Sequence, residues 1–381
     1  MPKIADVEAI PLSIPYIDDP PTLFQESWGV QVYVKVKLGD VAGWGEVLVY
    51  GGDLVDAYLG VLNSIVKPAV VGEEVNEVGD VAKIVNKLER LLFTAGLCGI
   101  VSGAIGGLEM ALWDALGKYL GKNIVSLIGQ ASRTKIPVYA SFPRYSNEEQ
   151  VVKAVSKALD RGFTMVKIHQ HADNVAESIK AIRRVYGYGI RVAVDLNAAY
   201  PNVEGAAKLI ESISRYEVYW VEEPIWPPNN YEGLRQLAER APIPIAAGEN
   251  EYSTAGFINL AKSGVRYLQP DISKLGGLLK LLTTIDSLKT LNRPIAPHLR
   301  PHKSILAHLY TLAAASVRGD VVVVEWPLTW VNDIYDANVE VSGGEVDISP
   351  FLKRPGLGLN VIEGNFSKYG YFKKFRPLIF H

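Results

Sequence analysis

The chain has 381 residues, with 39 Lys+Arg against 41 Asp+Glu, a formal charge of −2 at pH 7 and one Cys. At roughly 100–200 residues per domain, that length predicts two domains or one large barrel with an addition. The near-balanced charge leaves no basic excess for a phosphate backbone, which excludes nucleic acid as an expected partner. Cys98 has no second Cys to pair with, and the opening MPKIADVEAI lacks the charged-then-apolar pattern of a signal peptide, so the cytoplasm is the expected compartment.

In chain order, the alternating runs IADVEAIPLSI and VQVYVKVKLGDVAGWGEV predict an antiparallel sheet, joined by a Pro-rich stretch over 16–29. Helical patterns follow from about Asp53 to Gly121, and strands first with helices after reads as an α+β unit over residues 1–126. Within it, residues 91–108 run 18 positions without a charge and contain a G-x-x-x-G at Gly99 and Gly103. Because this run continues into the amphipathic EMALWDALGKYLGK, it is expected to be a closely packed core helix and not a membrane span. Charge is uneven along the chain: residues 1–125 carry −7, residues 126–350 carry 0 and residues 351–381 carry +5. An acidic opening and a basic tail are expected to attract each other across the neutral middle.

From residue 136 the texture changes to short apolar runs separated by helix-length amphipathic stretches. The runs lie at 136–142, 164–169, 190–197, 218–224, 243–250, 267–273, 294–299 and 321–327, eight in all. Eight strand–helix units predict a (β/α)₈ TIM barrel over residues 127–350. Lys167, Asp195, Glu222, Glu249, Asp271, His298 and Glu325 fall at or near the C-terminal ends of runs two to eight, with separations of 28, 27, 27, 22, 27 and 27. That register converges seven ionisable side chains on one mouth of the barrel. Charges gathered at the ends of a buried sheet cost desolvation unless paired or bound to a metal.

Asp195, Glu222 and Glu249 come from consecutive strands, and three carboxylates held together need a cation. An all-oxygen set favours Mg²⁺, or Mn²⁺, over Zn²⁺. Asn197, two residues beyond Asp195 on an extended strand, is placed to steady a ligand or a bound water. Glu223 is expected to point away from the interior, Glu251 to lie past the strand and His171 to be a loop residue. His298 and Asp271 end adjacent strands and suit a carboxylate-oriented imidazole that moves a proton. Lys167 and His169, two apart on strand two, face inward on the opposite side of the metal, Lys167 toward a substrate carboxylate and His169 toward the second face of the α-carbon. Glu325, protonated in so anionic a mouth, is expected to donate to the other carboxylate oxygen. A divalent cation with bases on either side describes removal of a proton α to a carboxylate and stabilisation of the enediolate. Tyr50, Trp28, Arg144, Tyr145, Arg300 and His302 lie on loops within reach of the distal hydroxyls.

The strings GLEMALWDALGKYLGKNIVSLIG (107–129), VKIH, VDLN, VEEP, GEN, QPDISKLGG, PHL and VEW, in this order and spacing, resemble the mandelate racemase branch of the enolase superfamily. The resemblance implies that Asp195, Glu222 and Glu249 bind Mg²⁺, that His298 and Asp271 form the acid/base dyad and that Glu325 stabilises the enediolate. It further implies that residues 1–126, with the tail 351–381 returning to them, cap the barrel, and that loops 16–29 (with Tyr16 and Trp28) and 50–53 shape the distal end of the substrate. Dimers and octamers are the expected assemblies. One departure stands out. The family's racemases carry Lys-x-Lys at the end of strand two, whereas this chain has Lys167 and His169. The departure turns the expectation from two-base racemisation to dehydration of a sugar acid, a small-molecule pentonate or hexonate, to its 2-keto-3-deoxy product. The alternatives are a racemase or epimerase of a 2-hydroxy or amino acid on the same scaffold, and a catalytically silent binding or assembly module.

Overall fold

Period-two alternation in the opening third builds a three-stranded antiparallel sheet: β1 (Ile4–Ser13), β2 (Val30–Leu38) and β3 (Val41–Leu48), paired in chain order. The computed structural model describes residues 1–15, 20–23, 29–300 and 303–371. The helices Val78–Leu92 and Gly99–Leu120 follow the sheet. Glycine lets the longer helix lie close against it. A Cβ on Gly45 would overlap the Gly107 carbonyl oxygen, and one on Gly107 would overlap the Val47 side chain. The Gly99–Leu120 helix is long and apolar enough to cross a membrane, yet 89% of its most apolar 18-residue window is buried inside this fold. Its apolar length is therefore spent on packing.

The barrel strands are β4 (Lys135–Ser141), β5 (Met165–Ile168), β6 (Arg191–Asp195), β7 (Val218–Glu222), β8 (Ile245–Ala247), β9 (Tyr267–Leu268) and β10 (Val324–Pro327). β4 to β9 pair in parallel and β10 pairs with β4. The expected strand at 294–299 is reduced to single bridges of Ile295 with Leu268 and with Val321. Pro294 and Pro297 lack the N–H groups that a ladder needs, so the backbone closes the barrel without forming a regular strand. Inside, Tyr139, Met165, Ala193, Trp220, Ala246, Ala296 and Val323 form one buried layer. Met165, Ala193, Trp220, Ala296 and Val323 each stand two positions before an expected ring residue, so the ring is the next layer toward the mouth.

The C-terminal segment returns to the first sheet. Gly370 bridges Leu12, the Tyr371 hydroxyl donates to the Gly52 carbonyl, and Phe366 packs edge-on to Trp44 with ring centroids 5.8 Å apart. Among the described residues, one ion pair joins the tail to the sheet, with Lys35 of the sheet as the cation and Glu363 of the tail as the anion at 2.6 Å. Lys368 of the tail pairs with Asp333 instead. Among the described residues, aromatic packing and hydrogen bonds therefore carry this contact more than the net charges of the two segments.

Candidate active site

Strand pleat and the parallel register bring the ring together. Asp195 ends β6 directly beside Glu222 at the end of β7, and Lys167 sits on β5. Lys167, Asp195, Glu222, Glu249, Asp271, His298 and Glu325 are all buried. Asp195, Glu222 and Glu249 offer one ligand oxygen each, all within 4.8 Å of one another. Three buried carboxylates at that separation, with no thiolate or imidazole among them, fit a hard divalent cation such as Mg²⁺.

Lys167 lies among three of the ring's carboxylates. Its ammonium lies 2.6 Å from Glu222, 3.1 Å from Glu325 and 3.2 Å from Asp195. Glu222 also accepts from the Trp220 indole N–H at 3.1 Å and from the Gln269 amide at 2.5 Å. Burial, with Asp195, Glu325 and Glu249 close by, pushes the Glu222 carboxyl up to about 8 despite Lys167. Burial acts on Asp195 too, but His169, Lys167 and the Asn197 N–H outweigh it and hold the group below its usual value. The triad thus holds one carboxyl that resists ionisation beside one that ionises readily, and bringing a dication between them resolves the conflict.

His298 lies against the triad. Its Nδ1 is 2.7 Å from Asp271, whose other oxygen accepts from the Ser273 and Lys274 N–H groups at 2.8 and 2.9 Å. Asp271 is therefore fixed as the N-cap of a short helical turn, and it fixes the imidazole in turn. His298 Nε2 faces Glu249 at 3.0 Å. Burial lowers the His298 pKa, but Glu249, Glu325 and Asp271 outweigh it and raise it well above the usual value. His169 contacts another member of the triad, with Nδ1 3.8 Å from Asp195. Burial lowers its pKa, so the two imidazoles differ in basicity.

Two expectations need correction. Glu223 does not point away: it is buried at a left-handed backbone position (φ 39°) and accepts from the Asn250 amide at 2.7 Å. The chain leaves extended geometry after Glu222, so strand alternation no longer applies. Asn197 likewise lies past the strand end, at φ 47°, with an exposed side chain; its backbone N–H, not its amide, steadies Asp195 at 2.9 Å. Glu325 accepts from the Tyr139 hydroxyl at 3.1 Å and from the Leu299 N–H at 3.2 Å on one oxygen, and its other oxygen lies beside Lys167. Glu251 does lie off the ring, accepting from the Tyr231 hydroxyl at 2.6 Å, and His171 lies in the loop after β5.

Of the residues expected to touch substrate, Tyr50 reaches the ring region, its aromatic face 4.9 Å from the Lys274 ammonium and 5.9 Å from the Arg300 guanidinium. Arg300 donates to the Val49 carbonyl, and Arg144 donates to the His169 carbonyl at 3.3 Å. Tyr145 is buried beside Phe142. Tyr16, Trp28 and His302 lie outside the described residues. Sequence reasoning missed Lys274, Asn250, Gln269 and Tyr139, which hold the ring from below and outside. Tyr139 had a legible signal, since it stands two residues before Ser141 on an alternating strand and therefore faces inward. Lys274 had only its place three residues after Asp271.

An enolase C-terminal domain-like model matches residues 150–364, and the mandelate racemase/muconate lactonizing enzyme N-terminal model matches residues 16–129. The chain is similar to an arabinonate dehydratase of Saccharolobus solfataricus, 28% identical over 349 residues that cover 89% of this chain and 90% of the relative. It is also similar to a D-galactonate dehydratase of Verminephrobacter eiseniae, 28% identical over 87% of this chain and 89% of the relative. Among solved structures, a mandelate racemase/muconate lactonizing protein of Paracoccus denitrificans complexed with magnesium superposes with a TM-score of 0.82 at 26% identity, covering 97% of this chain and 98% of that one. With both halves of the fold and the buried carboxylate triad in place, the chain belongs to the mandelate racemase/muconate lactonizing enzyme family of the enolase superfamily.

Proposed function

We propose that this protein is a Mg²⁺-dependent dehydratase of a sugar acid, acting on a pentonate or hexonate such as arabinonate, gluconate or galactonate. The observation that carries the reading is the carboxylate triad flanked by the Asp271-oriented His298. The dehydratase names of the relatives support the choice of reaction. Asp195, Glu222 and Glu249 would hold the cation, with Mn²⁺ as a substitute. When bound, it supplies a Lewis acid for the substrate carboxylate.

The chain's own residues do the rest. His298, its tautomer fixed by Asp271, takes the C2 proton through Nε2. The electron pair enters the carboxylate to give an enediolate, with Lys167 and Glu325 at that end of the site. The pair then returns to form the C2–C3 double bond as the C3–O bond breaks, and the imidazolium gives its proton to the departing hydroxyl, which leaves as water. The resulting enol tautomerises to the 2-keto-3-deoxy acid. His169, beside Asp195, is the second candidate for the proton, and its position supports the runner-up reading, epimerisation at C2 by two bases. The same reading expects the cytoplasm as the compartment and a homo-oligomer as the assembly, and light scattering on the purified protein checks the assembly.

The test is a panel of pentonates, hexonates and aldarates assayed for a 2-keto product, with Mg²⁺ and after chelation. Turnover of one or two aldonates that chelation abolishes and Mg²⁺ restores is the expected result. Full turnover in the chelated enzyme would overturn the reading.

A further inference from the structure

Around the triad, one buried cation has no place in the mechanism above. Lys274 is 3% exposed, and its ammonium donates to Glu249 Oε1 at 3.2 Å and to Asn250 Oδ1 at 3.0 Å, under the face of Tyr50. The Asn250 amide in turn donates to Glu249 Oε1 at 3.1 Å and to Glu223 at 2.7 Å. Both donors thus converge on Oε1, while Oε2 of the same carboxylate faces His298. A carboxylate on a loop just past its strand can turn about its last bond, and two donors on one oxygen restrain that rotation from the side opposite His298.

We infer that Lys274 and Asn250 form an outer shell that positions Glu249 for the metal, presenting Oε2 and keeping Oε1 occupied. Lys274 is a positioning residue. The inference rests on the metal reading of the triad and names the residues that make Glu249 a good ligand. Groups that orient a ligand in this way typically contribute about 10–100-fold in metal affinity. A competing account makes Lys274 a mere charge neighbour, and the two accounts differ in sign. A positive charge beside a dication repels it, so if charge alone mattered, removing Lys274 would tighten metal binding.

The experiment titrates wild type, Lys274→Met, Lys274→Arg and Asn250→Ala with Mn²⁺, following free Mn²⁺ by electron paramagnetic resonance without substrate. Circular dichroism and the thermal midpoint without metal check folding. Lys274→Met is expected to bind Mn²⁺ about 10–100-fold more weakly than wild type and Lys274→Arg to recover most of that loss. Asn250→Ala, which keeps the charge and removes the relay, is expected to weaken binding as well, and it carries the test if Lys274→Met does not fold. Unchanged or tighter binding in folded Lys274→Met, or in Asn250→Ala where only that variant folds, overturns the inference while leaving the metal site intact. A wild type that binds no Mn²⁺ overturns the metal reading and this inference together.

Discussion

His298 is reached from three directions, by Asp271, by Glu249 and by the Glu325 that faces it electrostatically, and its raised pKa follows from that company. His298→Asn keeps a polar group of similar size and removes the exchangeable proton site. Turnover is expected to fall by about 10²–10⁴-fold or more while Mn²⁺ affinity stays within a few-fold of wild type. Retained turnover would make His169 the base. At this scale the ring was legible because a barrel repeats one strand position per unit, so a spacing near 27 marks a layer in the sequence itself. Glu223, Asn197 and Lys274 were not legible, since each lies where the chain has left the strand and side-chain direction depends on a turn.

The Gly99–Leu120 helix joins the first sheet to the barrel. Gly45 meets its backbone with no room for a methyl, so Gly45→Ala is expected to destabilise the fold by about 3 kcal/mol, read as a lower thermal midpoint. Glu109 of the same helix reaches across to the helix Leu278–Leu288, accepting from the Leu278 and Leu279 N–H groups at 2.7 and 2.8 Å and from the Trp113 indole at 2.5 Å. These are free donors at a helix start, and a carboxylate satisfies them. Burial nevertheless pushes its carboxyl up to about 7 from 4.5. Below pH 4.5 the group is protonated in both states; between 4.5 and 7 the unfolded chain ionises first, so stability falls as pH rises through that window. The group's share is about 3 kcal/mol. Measured as unfolding free energy against pH, wild type is expected to lose stability relative to Glu109→Gln across that window, and parallel curves would contradict the assignment. The sequence marked this helix by its uncharged apolar length, which on composition alone also suited a membrane; Gly45 and Gly43 of β3, where a Cβ would overlap the helix backbone at Gly107 and Ala111, resolve the choice.

At the scale of the molecule, the first sheet meets Ser304 and the segment after β10 at one buried polar junction. The Tyr33 hydroxyl of β2 lies 2.6 Å from both Ser304 and Tyr335, and Ser304 donates to Glu46 of β3. Tyr33→Phe leaves two hydroxyls without that partner and is expected to cost about 1–3 kcal/mol of stability, seen in the denaturant midpoint, with the Mn²⁺ affinity of the barrel unchanged. Eight strand-and-helix units were countable from residue 136 onward, but the reduction of the seventh strand to bridges at Ile295 was not, because closure there is set by tertiary contacts around two prolines. The described contact of the tail with the first sheet is made by Phe366, Gly370 and Tyr371, which a count of charges does not register.

Dehydration at this mouth means that a sugar acid loses its C2 proton and its C3 hydroxyl together. Proton NMR of the purified protein with Mg²⁺ in D₂O, against pentonates, hexonates and aldarates, tests it most directly. One or two aldonates are expected to lose the C2 proton and become 2-keto-3-deoxy acids carrying deuterium at C3. Loss of the C2 signal with the carbon skeleton and all hydroxyls intact would contradict dehydration and favour the epimerase reading instead.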